Sequence, residues 1–207
     1  MSAAVELFAL QGFAATGIRD IAAAAGLSSS SLYEYMTTKD DLLVDIMRRT
    51  IEPLLAAGRS LAEVDESPEW LIAALTQNHV WFHATYSNET MVTDTELRSL
   101  DLHRRHQVVA LRDSYEAVWR AAVATGIAAN VFVVDDGEIG ARSMISLCTG
   151  IGRWYRPGGR LTIDRLCATH ADLVLAAMRA RRNGLPIRRD HLSLPDPAEF
   201  VGAVADW

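Results

Sequence analysis

The stretch Ala22-Ala23-Ala24-Ala25-Gly26-Leu27-Ser28 joins two short helix-forming segments through small side chains and one glycine. Small residues let two helices approach closely, and glycine tolerates the tight turn between them. Upstream, Thr16 is placed to cap a helix carrying Ile18, Ile21, Ala22 and Ala25. Downstream, Ser28 is placed to cap a second short helix, read as Ser28 to Tyr35, with Leu32 and Tyr35 turned inward. In a helix-turn-helix the second helix enters the major groove of DNA. The outward side chains of this one, Ser29, Ser30, Tyr33 and Glu34, are short or polar and can reach phosphates or base edges.

Working outward, Ala4, Leu7 and Phe8 share a helical face that Gly12-Phe13 ends. Thr38 followed by Asp41 is a capping-box pattern, with Asp replacing Glu, and opens a fourth helix running to about Ala57 with a kink at Pro53. Ser67-Pro68 starts a helix carrying Trp70, Leu71, Leu75, His79, Phe82 and His83. Thr93 to Leu100 fits no single pattern. Val108, Leu111, Tyr115, Val118 and Ala122 then recur at helical steps along a long helix. Asp135, with Glu138 three residues on, is placed to cap a helix bearing Met144, Leu147, Cys148, Ile151 and Trp154. Arg156-Pro157-Gly158-Gly159 reads as a turn, and a last helix carries Ile163, Leu166, Cys167, His170, Val174, Ala177 and Met178. The tail from Gly184 holds Pro186, Pro195 and Pro197 and reads as irregular or draped over the surface. The fold class is all-α, in three stretches: a three-helix helix-turn-helix over residues 1–45, a helical body over 46–183, and a tail over 184–207.

Composition agrees. Of 207 residues, 50% are hydrophobic, enough for a sizeable core, and the net charge of −6 argues against DNA binding by the whole surface. No apolar stretch reaches the ~18 residues of a membrane span. Met1-Ser2-Ala3-Ala4 lacks the basic start of a secretory signal, and two cysteines make no disulfide framework, so a cytoplasmic setting is expected. Enzyme signatures are missing: there is no Walker loop, and Gly150-Ile151-Gly152 lacks a third glycine and a preceding strand.

Val5-Glu6-Leu7-Phe8-Ala9, Gly12-Phe13, Ile18-Arg19-Asp20-Ile21-Ala22, Ala25-Gly26-Leu27-Ser28, Leu32-Tyr33-Glu34-Tyr35 and Thr38-Lys39-Asp40-Asp41-Leu42-Leu43 stand in an order and spacing that resembles the DNA-binding domain of TetR-family regulators. The resemblance implies that Arg19, Ser28, Ser29, Ser30, Ser31, Tyr33, Tyr35 and Lys39 face DNA, and that Phe8, Ile21 and Leu32 are core. The sequence departs from the family in two ways. Members carry a basic arm ahead of the first helix, and this chain starts inside that helix, so an upstream start is one expectation. Residues 1–50 also hold only Arg19, Lys39, Arg48 and Arg49 against Glu6, Asp20, Glu34, Asp40, Asp41 and Asp45, a poor electrostatic footprint for DNA.

The later part is similar to a TetR subgroup that responds to acyl-CoA thioesters, on Glu96-Leu97-Arg98-Ser99-Leu100, Arg112-Asp113-Ser114-Tyr115-Glu116 and Arg153-Trp154-Tyr155-Arg156-Pro157-Gly158-Gly159. Such a ligand needs an apolar tunnel and cations for its phosphates. His79, Phe82, His83, Tyr86, Arg112, Met144, Cys148, Ile151 and Trp154 are the expected ligand-binding set, with Trp81 as further lining and Arg98, Arg142 and Arg153 as further cations. His79 and His83, and His103 and His106, have helical spacings that can hold a metal. With no cysteine cluster or carboxylate beside the first pair, packed histidines are the expectation, and no metal or cofactor is assigned. The function read from the sequence is a homodimeric repressor, not an enzyme, released from double-stranded operator DNA by a small apolar effector such as an acyl-CoA thioester. The alternative is a small-molecule-binding protein of the same fold with weakened DNA binding.

Overall fold

The computed structural model describes residues 1–200; the rest of the expected tail, 201–207, lies outside the described residues. The chain forms α1 (Ser2–Gln11), α2 (Ile18–Ala24), α3 (Ser29–Leu32), α4 (Lys39–Ala62), α5 (Pro68–Thr85), α6 (Ser87–Thr95) and a 3-10 turn (Glu96–Ser99). There follow α7 (Leu102–Ala128), α8 (Gly137–Thr149), α9 (Ile151–Trp154), α10 (Ile163–Ala177), a small hairpin of β1 (Arg181–Arg182) and β2 (Leu185–Pro186), and α11 (Pro197–Phe200).

Helix starts follow side-chain capping. Ser28 accepts from the Ser31 amide, Thr38 from Asp41, and Ser67 from Trp70 with Pro68 next to it. Two caps fall one residue later than the sequence reading placed them. Gly17, not Thr16, precedes α2, and Asp20 reaches back to its amide at 2.9 Å. The Thr16 hydroxyl turns inward and donates to the Gly12 carbonyl at 2.8 Å. Asp136, not Asp135, caps α8 by accepting from Glu138 and Ile139. Gly26 has φ +68° in the turn between α2 and α3, a backbone that side chains with a Cβ rarely adopt.

Two apolar clusters organise the molecule. The first gathers Val5, Phe8, Ile21, Leu32, Leu43, Ile46 and Ile51 from α1–α4, together with Val92, Leu100 and Val108. The second runs from Leu54 of α4 to Ile187. The division therefore falls inside α4, which passes Pro53 and ends at Ala62, beyond the expected Ala57. Leu54, Leu55 and Leu61 are buried in the second cluster, and that packing holds the extra turns of α4. Helix α5 is buried on nearly every side, from Trp70 to Ala84, as befits a central helix. It packs on α4, α7, α8 and α10, and α11 lies across it.

The ambiguous segment is the end of α6 plus the 3-10 turn. The single helix expected to bear Met144 through Trp154 is divided at Gly150 into α8 and α9. The last long helix ends at Ala177 with Met178 as its cap, and Asn183 and Gly184, at φ 52° and 79°, turn the β1–β2 hairpin, as an Asn-Gly pair does. The tail is draped over α5: Trp70 Nε1 donates to the Ser193 carbonyl at 2.8 Å and Asn78 Nδ2 to that of Pro197 at 3.4 Å.

Candidate functional site

The N-terminal cluster builds a short two-helix corner. Phe8, Ile21 and Leu32 are all buried there, as the motif required. Helix α3 is only Ser29–Leu32, so Tyr33 to Tyr35 continue it as a turn and not as helix. Tyr35, read as inward-facing, is instead 77% exposed, and Tyr33 is 55% exposed. Arg19, Ser28 and Ser30 are exposed, and Ser29 and Ser31 are half-buried. The Ser28 hydroxyl lies 2.8 Å from that of Ser30 and 2.9 Å from that of Ser31 at the helix start. Lys39 differs from the expected phosphate contact. Its ammonium donates to the carbonyls of Phe13 at 2.8 Å and Thr16 at 2.9 Å and stands 4.2 Å over the Phe13 ring. Two of its three N–H groups thus close the α1–α2 connection.

In the second half a cavity of about 400 Å³ lies between α4, α5, α6, α7, α8 and α9. His79, His83, Thr50, Thr90 and Thr93, each under 5% exposed, line its buried part, while exposed Ser146 and Arg153 belong to its rim. His79, His83 and Arg112 from the expected set line it; Phe82, Tyr86, Met144, Cys148, Ile151 and Trp154 do not. Phe82, Cys148 and Ile151 are fully buried core, Met144 packs against that core, Tyr86 packs on Phe82, and Trp154 is 52% exposed. The reason is a one-position rotation of α8. The sequence reading took the apolar row through Met144, Cys148 and Ile151 as lining, but the cavity meets the neighbouring row, Ile145, Thr149 and Arg153. The overlooked signal is the threonines, a polar set no apolar pattern would select. Of the further candidates, Trp81 does not line the cavity and Arg142 is paired with Glu116 at 2.8 Å. Leu54 and Ile51 of α4 also line it.

The buried part is polar and ordered. His79 stacks on His83 with centroids 4.0 Å apart. His79 Nδ1 meets the Tyr115 hydroxyl at 3.1 Å and its Nε2 meets Thr149 Oγ1 at 3.0 Å. Both ring nitrogens are thereby engaged. Burial holds the His79 pKa well below that of a free imidazole and brings His83 down to about 4, so both are neutral at pH 7. Arg112 reaches the Thr93 carbonyl and, at 3.3 Å, Asp94. Burial pushes the Asp94 carboxyl up to about 6 against the pull of Arg112 and Arg153.

Helix α6, which carries Thr90, Thr93 and Asp94 into the cavity, also packs on α1. Just beyond it, Glu96 Oε1 accepts the Phe13 amide at 3.3 Å, at the turn that ends α1. On the far side, Arg104 at the start of α7 bonds Asp41 of α4 at 2.6 Å and Asp101 at 2.5 Å.

A helix-turn-helix head coupled to a helical domain that holds an internal cavity is the architecture of a DNA-binding regulator. Residues 1–46 match the family of bacterial regulatory proteins, tetR family, and residues 65–178 match the tetracyclin repressor-like C-terminal domain. The chain belongs to the TetR family of transcriptional regulators and is not an enzyme. It is 30% identical to the HTH-type transcriptional repressor KstR2 of Rhodococcus jostii (strain RHA1), over 87% of this chain and 89% of that one. A solved TetR-family regulatory protein from Rhodococcus RHA1 superposes with a TM-score of 0.81 at 26% identity, covering 87% of this chain and 95% of that chain. The structure of AibR in complex with isovaleryl coenzyme A and operator DNA has the same fold, with a TM-score of 0.76 at 22% identity, covering 83% of this chain and 93% of that one.

Proposed function

We propose that the protein is a homodimeric cytoplasmic repressor that leaves its operator when a CoA thioester fills the cavity. The observation that carries this reading is the position of the cavity on α6: the helix that presents Thr90 and Thr93 to a ligand leads directly into the Glu96 bond to the end of α1. A ligand that favours one placement of α6 therefore biases the head. Release is a population shift between dimers that fit successive major grooves and dimers that do not. The acyl group would enter the buried part, and Arg153 at the rim would meet the phosphates of CoA. The AibR complex supports this class of effector.

On the DNA side the candidate contacts are Ser29, Ser30, Tyr33 and Tyr35 around α3, with Arg19 on α2. For the dimer, Ile139 and Leu147 of α8 and Leu173 of α10 expose apolar side chains at 64%, 42% and 47%. Pairing these helices across a two-fold axis would bury them as a four-helix bundle. The test is a mobility shift on the DNA upstream of the gene, with and without acyl-CoA. A retarded band that acyl-CoA abolishes is expected; a band indifferent to every thioester removes the effector. A second reading, a sensor with weakened DNA binding, is favoured by the four cations against six carboxylates of residues 1–50 and by the inward Lys39. Absence of any retarded band at low salt would select it.

A further inference from the structure

The proton positions around the two stacked histidines can be assigned from their partners. His83 Nδ1 lies 2.9 Å from the His79 carbonyl. A carbonyl only accepts, so Nδ1 carries the hydrogen. His83 is neutral, because burial and the nearby Arg112 disfavour its charged form. Its Nε2 is then a bare lone pair. Among the described residues no group hydrogen-bonds to that nitrogen, and it is not one of the sealed unpartnered atoms. His83 is 4% exposed and lines the cavity, so Nε2 opens onto it. His79 offers no such atom. The Thr149 hydroxyl donates to the Ile145 carbonyl at 3.0 Å, so His79 Nε2–H must donate to Thr149 and the Tyr115 hydroxyl to His79 Nδ1.

The cavity thus presents a buried acceptor with no protein donor. Leaving an acceptor unpaired is costly, and a ligand that displaces its water must replace that hydrogen bond. An ammonium donor would have to be desolvated beside Arg112, and the cavity's two carboxylates, Asp94 and Glu116, are already paired with Arg112 and Arg142. A ketone would set lone pair against lone pair. A metal is not supported, since among the described residues no three His, Cys, Asp or Glu groups converge. We propose that the effector bears a hydroxyl group that donates to His83 Nε2, so that the cavity selects hydroxyacyl chains over alkyl and oxoacyl chains of the same skeleton. This deepens the effector reading above and rests on it for the thioester part alone.

The test uses the full chain. Affinities are measured for octanoyl-CoA, 3-oxooctanoyl-CoA, 3-hydroxyoctanoyl-CoA and 8-hydroxyoctanoyl-CoA, with wild type and His83→Leu. At least one hydroxylated probe should bind about tenfold or more tightly than octanoyl-CoA, with the oxo probe weakest. His83→Leu should erase that order, bringing the hydroxylated probes down to or below the affinity of octanoyl-CoA. Tighter binding of the octanoyl or oxo probe than of both hydroxylated probes overturns the proposal, as does an unchanged order in His83→Leu.

A second arm needs neither a thioester nor the variant. The ¹⁵N resonances of His83 should show Nε2 without a proton in the free protein and should move with cyclohexanol but not with cyclohexanone. A protonated Nε2, or no response to cyclohexanol, also overturns it. If no CoA thioester binds and cyclohexanol still moves Nε2, the thioester reading falls and the hydroxyl reading stands.

Discussion

At the scale of single residues, the Lys39 ammonium has two carbonyl partners that it would have to give up to reach a phosphate. Lys39 is in the DNA-binding motif, yet its ammonium closes the α1–α2 turn on Phe13 and Thr16. Nothing in a linear pattern says which carbonyls lie within reach. Lys39→Ala should therefore cost about 1–3 kcal/mol in urea unfolding and leave the salt slope of DNA binding unchanged. A slope reduced by about one, with stability intact, would return Lys39 to the phosphates. Asp94 gives a pH signature. Its folded pKa, about 6, lies above the ordinary 3.8, so the folded state holds its proton longer and this residue's contribution is lost as pH rises through 6. His83 acts oppositely: its folded pKa, about 4, lies below 6.5, so its contribution is lost as pH falls from 6.5 towards 4. The two offset each other in one window. Asp94→Asn should stabilise the protein at pH 7, by on the order of 1–2 kcal/mol, and make its loss of stability between pH 6.5 and 4 steeper. Unfolding at pH 5 and pH 7 checks both signs.

At the scale of elements, helices with regular apolar steps were legible: α1 was anticipated in place, as were α4, α5, α7 and α10, which side-chain caps open. What escaped was rotation and interruption. Helix α8 turns its Ile145–Thr149 row to the cavity, because tertiary packing, not the apolar pattern, decides which of two adjacent rows meets empty space. The break at Gly150 was equally invisible, since a glycine inside a helical pattern is often tolerated. The close approach of α7 to the segment after it hangs on Gly126, where an added Cβ would stand 2.1 Å from the Phe132 ring. Gly126→Ala should destabilise by about 3 kcal/mol or more, seen as a large fall in melting temperature. A melting temperature within a degree or two of wild type would show that Phe132 swings aside freely. The junction of α6 and the 3-10 turn makes a separate forecast. Glu96→Ala removes the acceptor of the Phe13 amide, so effector affinity should hold while the effector's power to release DNA falls several-fold. Equal release by wild type and variant would place the coupling elsewhere, for example on the Asp41–Arg104 pair.

At the scale of the whole molecule, the all-α class and the helix-turn-helix head at its start were in the sequence, carried by the Ala22–Ser28 stretch and its neighbours. The partition was less legible. Val92, Leu100 and Val108 join the N-terminal cluster although they sit far along the chain, a long-range pairing that periodicity does not encode. The dimer face has its own test. Leu173 is 47% exposed on α10, and Leu173→Glu would set two like charges close to the two-fold axis. The variant should remain folded, run as a monomer in light scattering and lose operator binding. A dimer that persists would move the interface away from α10.

The tail strap over α5 carries a consequence for how the protein is made. The head's cluster needs nothing beyond Leu111, so it can consolidate while the rest of the chain is still being synthesised. The cavity's central wall, α5, is covered only when α10 and the Ser193–Pro197 segment arrive. A newborn molecule therefore has its N-terminal head packed while the cavity behind it still lacks its backing, so the two halves mature in sequence.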